Sequence, residues 1–150
     1  MEFTIFKKLE DFIRNLQAIK NDDIRRKIRR NFDQRFQNIS NWANRELWCP
    51  AFVIKQIVSA TGSGDSSIAG FLSAYLRGYN IEETLKFANC LGYQNLHALD
   101  ALSGIKTWEQ TIKLVKSGMP MIDPDLKNSG WTYDEKFKLW AGPDDNTHAC

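Results

Sequence analysis

The first 61 residues contain no glycine, and then two arrive almost together, Gly62 and Gly64, inside the run TGSGDSSIAG at 61–70. Ahead of them, WCPAFVIKQIV at 48–58 is rich in β-branched and aromatic residues. Val53, Lys55 and Ile57 alternate there against Phe52, Ile54 and Gln56, which predicts a strand with Pro50 at its boundary. Behind the glycines, Ile68, Phe71, Leu72 and Tyr75 recur at helical spacing and are expected to line one apolar face, with Gly78 as the stop. Strand, glycine turn and helix in succession imply an α/β chain. They also place unpaired backbone amides at a helix start, backed by the positive end of the helix dipole, which makes an anion site. Glycines at 62 and 64 permit backbone conformations barred to other residues and let a phosphate approach the amides closely.

The turn is not a Walker-type phosphate loop, which needs a longer glycine spacing and a Lys followed by Ser or Thr; no lysine lies between Lys55 and Lys86. It also lacks the third glycine of a dinucleotide fingerprint. It has Asp65 instead, a carboxylate beside a pocket that attracts negative charge. Such a group can accept a proton from a hydroxyl as that oxygen attacks a phosphoryl group. Pattern alone favours a plainer reading, since glycine turns before helices are common: Gly62 and Gly64 make an ordinary turn, and Asp65 caps the helix that follows.

The remaining chain reads as helix-rich. Phe3, Phe6, Leu9, Ile13 and Leu16, then Ile24, Ile28, Phe32, Phe36 and Ile39, predict two amphipathic helices in an N-terminal region, 1–48. The second is opened by Asn21, Asp22 and Asp23. That region holds 11 Lys and Arg against 7 Asp and Glu, a balance of +4, whereas the remainder is at −2. Its cluster RRKIRR at 25–30 could meet nucleic-acid phosphates. Asp22, Asp23 and Asp33 dilute the charge and no groove-reading motif accompanies it, so nucleic-acid binding is not expected. Within a central region, 49–118, Asn80 with Glu83 opens a helix along Leu85, Ala88 and Leu91. Thr107 with Gln110 opens another over 108–115, ended by Gly118 and Pro120. In the tail, 119–150, GWTYDEKFKLW predicts a small hairpin, with Trp131 and Tyr133 before its turn and Phe137 and Leu139 after it. The last residues, GPDDNTHAC, are expected to be loose. Asp144, Asp145, His148 and Cys150 are metal-capable types, but a loose end cannot fix a coordination geometry, and no metal site is expected. His97 has no spaced partner and reads as a helix-face residue. Cys49, Cys90 and Cys150 match neither a disulfide framework nor a zinc site, which suits a reducing, cytoplasmic setting. No signal-type or membrane-spanning apolar run is present.

The stretch SATGSGDSSIAGFLSAYLRGYNIEETLKFANCLG, 59–92, resembles the C-terminal signature of the ribokinase/pfkB family of carbohydrate kinases. The shared features are the glycine–Asp core, AGFL on the next helix, LRG at its end, the EE-L-FA helix and the region 89–92. Weaker similarity extends the match to about 41–118. The resemblance implies a partial ribokinase-like, Rossmann-like α/β fold with few strands. It implies that the amides of Gly62, Ser63, Gly64 and Asp65 form an anion hole, and that Asp65 is the catalytic base. Asn89 and Gly92 would border the nucleotide, ATP would be the donor with Mg2+ on its phosphates, and a sugar-like alcohol would be the acceptor. Ser59 and Ala60 stand where relatives have Asp-Thr, so a monovalent-cation site around Ser59 and Thr61 departs from the family pattern. Ser67 replaces a frequent aromatic.

Family members are longer, with the sugar site and most strands N-terminal to this signature. The leading expectation is therefore an ATP-dependent carbohydrate kinase in truncated form, with self-association or a complementing chain covering exposed apolar faces. A nucleotide-binding fragment without transfer activity is the second expectation, since nothing here positions the acceptor. A basic helical interaction module over 22–35 is the third.

Overall fold

The computed structural model describes residues 39–126 and 129–145. The chain divides into two units, 1–43 and 44–150. The two predicted N-terminal helices, up to Phe36, and the RRKIRR cluster lie outside the described residues. Of the first unit, one helical turn is described, α1 (Ile39–Trp42).

The second unit is a small mixed α/β structure. Its elements are β1 (Leu47–Trp48), α2 (Ser63–Tyr75), α3 (Ile81–Asn95), α4 (Trp108–Lys116), β2 (Thr132–Asp134) and β3 (Leu139–Ala141). The helix α3 is the centre. It buries Ile81, Phe87, Cys90 and Leu91 together with the polar Thr84, Gln94 and Asn95, because it is packed on more than one side. Both predicted capping pairs form. Asn80 Oδ1 accepts from the Glu83 amide at 2.8 Å, and Thr107 with Gln110 makes a reciprocal capping box. Gly78, at φ 79°, ends α2: the Tyr79 amide reaches back to the Ala74 carbonyl and the Gly78 amide to the Tyr75 carbonyl.

The face that α2 buries is not the expected one. Ser66, Gly70 and Ala74 are its buried residues, while Ile68 and Leu72 are exposed and Phe71 and Tyr75 are half-buried. The small residues win because they let two backbones approach. A Cβ on Gly70 would stand 2.7 Å from the Phe87 carbonyl oxygen and 3.1 Å from Leu91 Cβ. Large side chains could not occupy that seam.

The strand expected over 52–57 does not form either. Phe52 is buried and makes an antiparallel bridge to Met121, and beyond it, among the described residues, the backbone over 53–58 is held at two points. The Val53 amide donates to the Pro120 carbonyl at 2.9 Å, and the Val58 amide to the Leu96 carbonyl at 2.8 Å. A strand needs a neighbour to complete its ladder, and among the described residues none lies beside 54–57.

The sheet that does form is antiparallel, in the order β1-β3-β2. Its hairpin, β2 and β3, is the one expected in the tail, with Tyr133 opposite Trp140 and Asp134 opposite Leu139. Asp134 Oδ1 accepts from the Phe137 amide at 3.0 Å to close the turn. Leu139 and Ala141 point into the core, and the intervening Trp140 sits between Trp48 and Tyr133 on the other face.

The segment after β3 is anchored up to Asp145, not loose. The Arg45 guanidinium Nε donates to both Asp145 carboxylate oxygens, at 3.2 and 2.9 Å, and its Nη1 donates to Glu82 at 2.7 Å. Asp145 also accepts from the Glu46 amide. This buried pair of carboxylates around one arginine ties the sheet to the start of α3. His148 and Cys150 lie outside the described residues. No group of three metal-capable side chains occurs among the described residues, and no described helix is long and apolar enough to cross a membrane.

Candidate functional site: the glycine turn at the start of α2

Gly62 is the residue before the first turn of α2 and adopts a left-handed conformation, φ 78° and ψ 1°. Its carbonyl accepts from the Ser66 amide at 2.8 Å, which starts the helix. No side chain caps that start. The Ser63 amide donates to the Ala60 carbonyl at 3.2 Å, whereas among the described residues the amides of Gly62, Gly64 and Asp65 have no acceptor. The helix thus begins with donors unspent at the positive end of its dipole.

Asp65 lies in this first turn and is exposed. It is not the cap that the alternative reading of the sequence required. A carboxylate is therefore left available a residue or two from bare amides.

Two glycines set the surroundings. A Cβ on Gly62 would meet Ala101 Cβ at 2.6 Å, so the loop after α3 presses against the turn. A Cβ on the buried Gly92 would strike the Ser67 hydroxyl and come within 3.3 Å of the Ser63 carbonyl oxygen. Gly92 thereby lets the first turn of α2 lie directly on α3. The Ser67 hydroxyl donates to the Ser63 carbonyl at 3.0 Å, so the residue that replaces an aromatic is used inside the helix.

Asn89 is placed differently from these. It is half-buried, and its Nδ2 donates to the carbonyls of Cys49 at 2.8 Å and Pro50 at 2.9 Å, fastening the segment that precedes Phe52 to α3. Ser59 Oγ accepts from the Thr61 amide at 3.2 Å, a local turn bond. His97 lies just past the end of α3, exposed, with Nδ1 donating to the Tyr93 carbonyl at 2.9 Å. An open groove of about 450 Å³ runs past it, lined by Tyr93, His97, Ser103, Lys106 and Leu114 among others. None of the glycine-turn residues lines that groove.

Residues that the sequence did not single out also shape this region. Gln94 is buried with every polar atom used: Nε2 donates to Thr111 Oγ1 at 3.0 Å and Oε1 accepts from the Lys106 amide at 2.7 Å. Asn95, fully buried, donates to the Asp100 carbonyl. A polar residue spaced to face inward on a helix was the available signal for both.

A bare helix start beside an exposed carboxylate, reached through a glycine turn, is chemically suited to an anion. The family profile described as pfkB family carbohydrate kinase matches residues 39–113, half of the chain, and the chain belongs to that family. Among curated proteins it is similar to a nucleoside kinase of Methanocaldococcus jannaschii, 27% identical over 70 residues. That match takes in 47% of this chain and 23% of the relative, so the similarity spans about a quarter of the relative's length. No solved structure matches.

Proposed function

We propose that this chain carries the phosphoryl-handling part of an ATP-dependent kinase that transfers the γ-phosphoryl group to a hydroxyl of a sugar, free or within a nucleoside. The observation that supports this most is the start of α2, where among the described residues Gly62, Gly64 and Asp65 keep unpaired amides and no side chain caps them. On this reading those amides, with the turn at Ser63, stabilise charge on the transferring group. The Asp65 carboxylate accepts the proton of the acceptor hydroxyl as its oxygen bonds to phosphorus and the bond to the ADP oxygen breaks. Gly92 and Asn89 border the nucleotide side, the first by allowing close approach and the second by fixing residues 49 and 50. With no metal-holding cluster among the described residues, Mg2+ would arrive on the nucleotide and neutralise its phosphates. Ser59, tied to the Thr61 amide, and Thr61 give little to a monovalent cation. The ribokinase-like fold, a cytoplasmic setting, and a second copy or complementing chain over the exposed apolar surface belong to the same proposal.

The test is ADP release measured over a panel of sugars and nucleosides, with Asp65→Asn as the control. Acceptor-dependent release that falls at least about 100-fold in the variant supports the reading. Acceptor-dependent release that is indifferent to the substitution overturns it. The short span of the match favours a second reading, nucleotide binding without transfer, because positioning the acceptor supplies much of the rate. Analogue binding with no acceptor-dependent release would select it.

A further inference from the structure

Asn95 ends α3 with none of its surface exposed, yet its Oδ1 has no hydrogen-bond partner among the described residues. Buried amide oxygens are nearly always paired, and a leucine would fill such a helix position without that cost. The reason for an asparagine should therefore lie in what its other atoms touch. Its Nδ2 donates to the Asp100 carbonyl at 3.3 Å. The Asp100 carboxylate in turn accepts from the amides of Leu102 at 2.8 Å and Ser103 at 2.6 Å, folding 100–103 into a tight turn. Those backbone bonds, Ser103 first, also hold the Asp100 carboxyl below its ordinary range.

Ala101 sits at the tip of this turn and faces Gly62. A Cβ on Gly62 would lie 2.6 Å from Ala101 Cβ, 3.2 Å from Ala101 Cα and 3.8 Å from Asn95 Nδ2. The left-handed residue that opens α2 is thus walled by Ala101, and Asn95 stands next to that wall.

We propose that Asn95 is a positioning residue for the glycine turn: through the Asp100 carbonyl and Ala101 it holds Gly62 in the left-handed conformation that leaves the Gly64 and Asp65 amides open. That the turn binds phosphate rests on the function proposed above; the buttress itself does not.

The test uses the full chain and two substitutions, Asn95→Leu and Ala101→Gly, with hydrogen exchange as the first readout. The amides of Ser63, bonded to Ala60, and Ser66, bonded to Gly62, report the turn. Those of Glu83 and Gln110, bonded at distant caps, report the rest of the fold. Asn95→Leu should speed exchange at Ser63 and Ser66 roughly tenfold and leave Glu83 and Gln110 unchanged. Ala101→Gly should do the same, and the double variant should be no worse than Asn95→Leu alone, since both act along one path. The second readout is affinity for a Mg2+-bound non-hydrolysable ATP analogue, which should weaken about tenfold in step as preorganisation is lost. Unchanged exchange at Ser63 and Ser66, or equal acceleration at all four amides, overturns the proposal. If Asn95→Leu does not fold, Ala101→Gly decides alone by the same criteria. If the unmodified chain binds no analogue while the exchange pattern is as expected, the buttress stands and the phosphate reading fails.

Discussion

Asp65 and Gly62 make separable demands on the site. Asp65→Asn keeps size and hydrogen-bonding capacity but removes the proton acceptor. In an assembly that turns over, the rate should fall at least about 100-fold while affinity for an ATP analogue changes by less than about threefold, measured by steady-state kinetics beside calorimetry. Gly62→Ala should act on structure first. At φ 78° a side chain costs about 1–2 kcal/mol, and the added methyl must also displace Ala101. A lowered denaturation midpoint with weakened analogue binding is expected. Cys49 supplies a pH signature. Burial pushes its thiol up to about 11, against the weaker opposing influence of Lys86 and the Asn89 hydrogen bond. The folded chain therefore keeps this proton between about pH 9 and pH 11, where the unfolded chain releases it. Stability should decline across that window, and the decline should be shallower in Cys49→Ser when both are followed by chemical denaturation. At this scale the sequence was informative where the requirement is local. A glycine pair before a helix announces a turn whatever surrounds it. The unpaired Oδ1 of Asn95 was invisible, because burial is set by residues distant along the chain.

Among the elements, the two helix caps and the hairpin could be read directly, since each is closed by residues within a few positions: Asn80 to Glu83, Thr107 to Gln110, Asp134 to Phe137. The faces were harder. In α2 the expected face, Ile68, Phe71, Leu72 and Tyr75, shares the helical period with Ser66, Gly70 and Ala74, and periodicity cannot say which meets a neighbour. Hydrophobicity favoured the larger stripe, while close approach to α3 selected the smaller one. Gly70→Ala should therefore destabilise, although alanine is the better helix former, because its methyl meets the Phe87 carbonyl. A loss of about 1–3 kcal/mol in a thermal or chemical melt is expected. The extended run at 53–58 was misjudged for a related reason, since alternation describes one strand and a ladder requires two. Residues 142–145 are held in place, against expectation, because Asp145 reads as a turn residue while its partner Arg45 lies 100 positions away. Truncating one member of this buried cluster strands the others, so Asp145→Ala should cost about 3–5 kcal/mol, read as a lowered denaturation midpoint.

For the molecule as a whole, the family match and the exposed surface point the same way. Ile68 and Leu72 on α2, Leu76 just past its end, and Val53, Ile57 and Val58 before the turn, are each between 45% and 59% exposed. Scattered apolar residues are ordinary, and whether this stripe self-associates is a matter for measurement. Replacing Ile68, Leu72 and Leu76 together by Gln should reduce light scattering in concentrated solution and leave the melting temperature within a few degrees, since these side chains do not contribute to the buried core. A large fall in melting temperature would mean that they do. The class of protein was legible from residues 59–92 because the signature is contiguous. The central claim is narrower and can be checked directly, namely that the uncapped start of α2 is a nucleotide-phosphate site. Calorimetric titration of the folded chain with a non-hydrolysable ATP analogue and Mg2+ is the measurement to make. Saturable binding that is weakened at least about tenfold by Gly62→Ala is the predicted result. No binding by a demonstrably folded chain, or binding that ignores the substitution, would contradict it.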